Sequence, residues 1–202
     1  MHGPLVRPEQ LDALASAVNT LHRAIPEDVL RGMHTRILPA HEFAAHVMSW
    51  CANHQPALGS DPTVHQAFDA GAMWITSTPL SDPRWEAAEP VFGLADGNLA
   101  NYLWDGTRVR VVDLENSGRS DRTFELADIT EHLSMWVDHP VDIPSLLEQF
   151  ELTSAEVARL RECQRLFALF WLLMLLPGGA AHDRNPPGTL ARQAHRLLGM
   201  LG

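Results

Sequence analysis

Apolar positions near the start of the chain recur at helical spacing. Leu11, Leu14, Ala15, Val18 and Leu21 fall on one face and predict a helix from Pro8 to Ile25, ended by Pro26. A polar loop with Gly32 and Pro39 is expected next. Phe43, Val47 and Trp50 then predict a helix from His41 to His54, and Gln55 to Pro62 reads as loop. Asp61-Pro62 is a helix start, giving a third helix that runs to about Ile75. After Pro90 the pattern shortens. Val91, Phe92 and Leu94 suggest a strand entering a loop. Asn101 to Trp104 and Arg108 to Val112 predict two strands about the tight turn Asp105-Gly106. Helical spacing resumes over Arg122 to Val137. A long helix is expected from Ser154, capped by Thr153 or Ser154 with Glu156 nearby, to Leu176, where Pro177-Gly178-Gly179 stops it. A last helix covers Thr189 to Leu201. The fold class expected is mainly α with a small β-hairpin (α+β), in one domain over residues 1–202. Neither GxGxxG nor GxxxxGK[ST] occurs.

Composition narrows the function. A formal charge of -10 argues against a nucleic-acid partner, because phosphate backbones require basic surface. The charge suits a small cationic ligand. All 15 cationic side chains are arginine, since the chain contains no lysine. Cys51 and Cys163 form no disulfide framework and read as reduced thiols. The opening MHGPLVRPEQLDAL has no signal-peptide apolar region. The longest apolar run, Leu166 to Leu176, falls short of the ~20 residues a membrane helix needs. No membrane partner and a cytoplasmic location are therefore expected.

The candidate chemistry lies in VFGLADGNLANYLWDGTRVRVVDLENSG, the segment 91–118. Asp96, Asn101 and Asp113 follow the order of a phosphoryl-transfer site: a carboxylate base, then an amide and a carboxylate that ligate magnesium. The predicted hairpin folds Asn101 and Asp113 back to the same end. This segment resembles the C-terminal lobe of the aminoglycoside phosphotransferase and choline kinase-like family, whose catalytic loop reads HGDxxxxN before a hairpin and an ID-x-E element. Asp96, Asn101, Asp113 and Glu115 stand at the matching positions. GRSDRTFELAD resembles the family's G-x-x-D-x-x-x-D-L-A continuation, and RPEQLDALASAVNTLHRAIP resembles the helix after its hinge. The resemblance implies a kinase-like C-terminal lobe that moves the γ-phosphate of ATP to a hydroxyl of an aminoglycoside or similar amino alcohol. Asp96 would be the base, Asn101 and Asp113 the Mg2+ ligands, and ATP and Mg2+ the cofactors.

Three departures qualify that expectation. Leu94 replaces the histidine two residues before the aspartate. Glu125 replaces aspartate in the D-L-A element. The N-terminal lobe, with its phosphate-covering loop and lysine, is expected to be absent, so a separate lobe or a homodimer is an expected partner. The alternative is a truncated lobe without catalysis that acts as a binding or partner module. Glu115 is expected to be solvated. The eight acidic groups between Asp121 and Glu151 are expected to form either a solvated face or a wall for a cation. His41 and His46 are five residues apart, about 140° around a helix, so they do not form a zinc-binding HExxH pair.

Overall fold

The computed structural model describes residues 8–36, 38–53, 59–82, 85, 90–138 and 140–202. His54 and most of the loop expected after it lie outside the described residues. In chain order the elements are α1 (Pro8–His22), α2 (Glu27–Gly32), α3 (Ala40–Asn53), α4 (Pro62–Ile75), β1 (Pro90–Gly93), β2 (Tyr102–Trp104), β3 (Val109–Val111), β4 (Gly118–Asp121), α5 (Arg122–Glu131), α6 (Ile143–Glu148), α7 (Ser154–Leu175) and α8 (Thr189–Leu201). The fold is mainly helical with small antiparallel sheets. The chain divides into two compact units, Met1–Pro39 with Ala87–Leu160, and Ala40–Glu86 with Arg161–Gly202.

The first unit is built around α5, which is buried from Thr123 to Glu131. Asp121 caps it: its carboxylate accepts the Thr123 N–H at 2.8 Å and the Phe124 N–H at 3.2 Å, and Arg159 pairs with it. Two ribbons flank this helix. β1 and β4 pair from Pro90↔Asp121 to Gly93↔Gly118. β2 and β3 form the expected hairpin, with Tyr102 opposite Val111. The Asp105 carboxylate accepts the Thr107 and Arg108 N–H groups at 3.1 and 3.0 Å, which closes the turn. α1 buries Leu14 and Val18 and packs against β1 and β3.

Four local expectations change. Residues 27–32 form α2 rather than loop. β4 is a polar strand revealed by its pairing partners, β1 and the backbone around Thr35. α5 ends at Glu131, because His132 leaves the helical region (φ -57°, ψ 139°), and its side chain caps a single 3-10 turn over Leu133–Met135. Residues 143–148 form α6, which starts at Asp142 through its contacts with the Ser145 N–H and hydroxyl.

The second unit holds α3, α4, α8 and α7 from Arg161. Leu166, Leu169 and Leu172 are its buried spine, and the Phe43 and Phe167 ring centroids lie 5.0 Å apart. Gln193 donates to the Ala168 carbonyl at 2.7 Å, which satisfies a helix carbonyl inside the core. His46 packs on Trp50, with centroids 4.6 Å apart. Among the described residues no group of three or more His, Cys, Asp or Glu could hold a metal, and no helix is long and apolar enough to cross a membrane.

Candidate active site

The candidate residues all lie in the first unit, on one continuous loop and hairpin. β1 ends at Gly93 and passes through buried Leu94 into Ala95, whose φ of 64° lies in the left-handed region. Asp96 follows, half-buried. Its carboxylate accepts the Asn98 N–H at 2.9 Å, which bends the chain back on itself. The Asn98 side chain accepts the Ala100 N–H at 3.0 Å and caps a single 3-10 turn, Leu99–Asn101. Asn101 thus arrives just before β2. Its carbonyl accepts the Val112 N–H at 3.0 Å, which carries the β2–β3 pairing one step past Tyr102 and Val111. Asp113 comes next, exposed and at φ 62°. Asn101 and Asp113 therefore stand at the open end of the hairpin, and a single turn links Asn101 to the Asp96 loop.

Asn101 is 7% exposed, and its Nδ2 has no hydrogen-bond partner among the described residues. The free end is an N–H donor, open to an acceptor such as a phosphate oxygen, while a metal would take the side-chain oxygen instead. Asn101 and Asp113 offer amide and carboxylate oxygens, a hard donor set that fits Mg2+ completed by phosphate oxygens and water.

A buried ionic network braces the loop from below. Arg36, 6% exposed, donates to Glu125 at 2.6 Å and to Asp128 at 3.1 Å, and its guanidinium lies 4.7 Å from the Phe124 ring centroid. Glu125 also accepts the Ser120 hydroxyl at 2.5 Å and the Ala95 N–H at 3.2 Å. The backbone of Arg36 is itself fixed. Its N–H donates to the Arg119 carbonyl, and the Arg119 N–H donates to the His34 carbonyl, each at 3.0 Å. The two carboxylates respond differently to one guanidinium. Burial opposes ionisation of Glu125, but the closer Arg36 contact and the Ser120 hydroxyl outweigh it and lower its pKa. Asp128 has the longer contact; burial dominates there and pushes it up to about 6. Burial also opposes the Arg36 charge, which the two carboxylates more than restore.

These contacts change the reading of the acidic stretch. Glu125, Asp128 and Glu131 are buried, and Asp121 and Asp142 cap helices. The stretch is neither a continuous solvated face nor a continuous wall for a cation; Asp138, Asp142, Glu148 and Glu151 are exposed. Glu115 is exposed, as expected. Arg36 was not apparent as part of the site, because it lies 89 residues before Glu125 and in no motif.

A model described as the phosphotransferase enzyme family matches residues 2–163. No curated protein sequence matches the chain. Among solved structures, a choline/ethanolamine kinase family protein from Mesorhizobium loti is similar with a TM-score of 0.59 at 16% identity, over 96% of this chain and 63% of that one. A choline kinase from Streptococcus pneumoniae gives a TM-score of 0.57 at 14% identity, over 95% of this chain and 62% of that one. A thermostable aminoglycoside phosphotransferase APH(4)-Ia variant, in ternary complex with AMP-PNP and hygromycin B, gives 0.60 at 22% identity, over 96% of this chain and 66% of that one. At these identities the likeness is one of fold. The chain spans less than two thirds of the length of each of these structures.

Proposed function

From the premise that this chain belongs to the phosphotransferase enzyme family, we propose that it carries the catalytic lobe of an ATP-dependent phosphotransferase acting on a hydroxyl of an aminoglycoside or similar small amino alcohol. The observation that carries the reading is the backbone path from Asp96 to Asp113. One capped turn and one hairpin hydrogen bond bring a base, a buried amide and an exposed carboxylate into a single sequence of fixed steps.

The Asp96 carboxylate accepts a hydrogen bond from the attacking hydroxyl. It takes that proton as the new oxygen–phosphorus bond forms and the bond to the ADP oxygen breaks. Asn101 and Asp113 would hold Mg2+, which when bound would neutralise charge on the phosphates. The Glu125–Arg36 network keeps Ala95, and so Asp96, in place. No lysine of this sequence can hold the phosphates, because it has none. Val112 and Leu114, 38% and 46% exposed on either side of Asp113, fit the seat of a nucleotide-gripping lobe or a second copy.

The second reading is a lobe that binds without catalysis; Leu94 in place of the bracing histidine favours it. Transfer of labelled γ-phosphate to a panel of aminoglycosides and choline separates the two. Transfer that Asp96→Ala abolishes supports catalysis, and transfer that survives the substitution removes Asp96 from its role. Nucleotide binding without transfer supports the second reading.

A further inference from the structure

The loop around Asp96 lacks the histidine of the resembled pattern and is held by other side chains. Leu94 stands in the histidine's position, 2% exposed, and its side chain offers no hydrogen bond. Three successive amides further along are each held by a side chain. Asp96 takes the Asn98 N–H, Ser134 Oγ takes the Leu99 N–H at 3.0 Å, and Asn98 takes the Ala100 N–H. Two of these partners belong to the loop itself. Ser134 alone of the three comes from another element, the turn that follows α5.

The Ser134 hydroxyl is oriented in turn. Its oxygen lies 2.7 Å from His132 Nδ1, and the Ser134 backbone N–H donates to that same nitrogen at 3.1 Å. A ring nitrogen that accepts a backbone N–H carries no proton, so the serine hydroxyl must also donate to it. This leaves the serine lone pairs for Leu99 and requires the neutral Nε2–H tautomer of His132. Burial pushes His132 down to about 4, with the Asp96 charge opposing, so the ring is neutral at pH 7.

We infer that His132 and Ser134 are positioning residues that fix the segment between Asp96 and Asn101, replacing the brace that Leu94 cannot supply. The pair sets the separation of the base from the metal ligand, and its catalytic consequence rests on the phosphotransferase reading above.

Isotope-labelled chain tests this without relying on turnover. In Ser134→Ala the Leu99 amide should exchange about tenfold faster, the loss of one hydrogen bond, with the Ala127 amide unchanged as reference. Ser134→Thr, which keeps the hydroxyl, should restore the slow rate. Long-range proton–nitrogen spectra of the unsubstituted chain should show the Nε2–H imidazole. A Leu99 rate nearer to the unsubstituted value than to that increase, or an Nδ1–H imidazole, overturns the inference. The imidazole result stands even if Ser134→Ala does not fold. Phosphoryl transfer is measured in parallel. Ser134→Ala should lower kcat with the acceptor KM unchanged, and Ser134→Thr should recover it. No transfer by the unsubstituted chain defeats the phosphotransferase reading, while the amide and imidazole still decide the brace.

Discussion

The Glu125 carboxylate accepts the Ala95 N–H at 3.2 Å with one oxygen and holds the Arg36 guanidinium at 2.6 Å with the other. Ala95 immediately precedes the candidate base, so a charge pair in the core is coupled by one peptide to the Asp96 carboxylate. Removing Arg36 leaves two buried carboxylates without their cation. Arg36→Ala should lower stability by about 3–5 kcal/mol in urea unfolding at pH 7.5. A loss under about 1 kcal/mol, the scale of a surface pair, would show that the network is not needed.

Gly97 lies against the α5 backbone. A Cβ there would sit 2.2 Å from the Asp128 carbonyl oxygen and 2.4 Å from its carbon, and backbone cannot rotate out of the way. Gly97→Ala should therefore cost about 1–3 kcal/mol and displace the Asp96 loop. Gly199 in α8 has no described atom within 4 Å of such a Cβ, so Gly199→Ala should instead stabilise by about 0.5–1 kcal/mol. Equal effects at the two positions would refute the packing argument.

Strain sits at the two ends of the candidate site. Ala95 and Asp113 hold φ of 64° and 62°, where a Cβ costs about 1 kcal/mol or more. Ala95→Gly and Asp113→Gly should each raise the urea midpoint. The two variants should then part company: Ala95→Gly keeps nucleotide binding and Asp113→Gly loses it, because only the second removes a ligand. A midpoint that falls in both would mean the left-handed geometry is not present in solution.

Stability should fall on mild acidification. Burial pushes His22 and His132 each down to about 4, so the unfolded chain takes up their protons first as pH drops below about 6.5. Each then withdraws about 3 kcal/mol by pH 4. Asp128, pushed up to about 6, works in the opposite sense, because the folded state binds its proton first between pH 6 and its ordinary value. The net result is a loss, measured as the unfolding free energy from pH 7 to 4.5, and His132→Phe should flatten it. A flat profile in the unsubstituted chain would contradict the desolvation of buried His22 and half-buried His132.

Much of the scaffold was legible in the sequence, for physical reasons that differ by element. α4 and α8 carry strong local signals: the Asp61-Pro62 start and an amphipathic run that ends the chain. The Asp105-Gly106 hairpin announces itself by its turn. By contrast, β4 is Gly-Arg-Ser-Asp, polar at every side chain, and becomes a strand through its pairing with β1 on one side and with the backbone of residues 34–36 on the other. The acidic run misled because burial is not a local property. Glu125 and Asp128 are interior because Arg36, far away in sequence, is placed beneath them. For the same reason spacing alone could single out Asp96, Asn101 and Asp113, but not the Arg36, His132 and Ser134 contacts that hold their loop.

In the proposed function Asp96, Asn101 and Asp113 form one site for a metal-bound nucleotide. Titrating isotope-labelled chain with Mn2+ and ATP, as a paramagnetic stand-in for the magnesium complex, tests it most directly. Amide broadening should be confined to the Asp96–Asn101 loop and the residues around Asp113, and should be lost in Asp113→Ala with the fold intact. A folded chain in which those amides stay sharp, or broaden no more than the exposed carboxylates elsewhere, would contradict it.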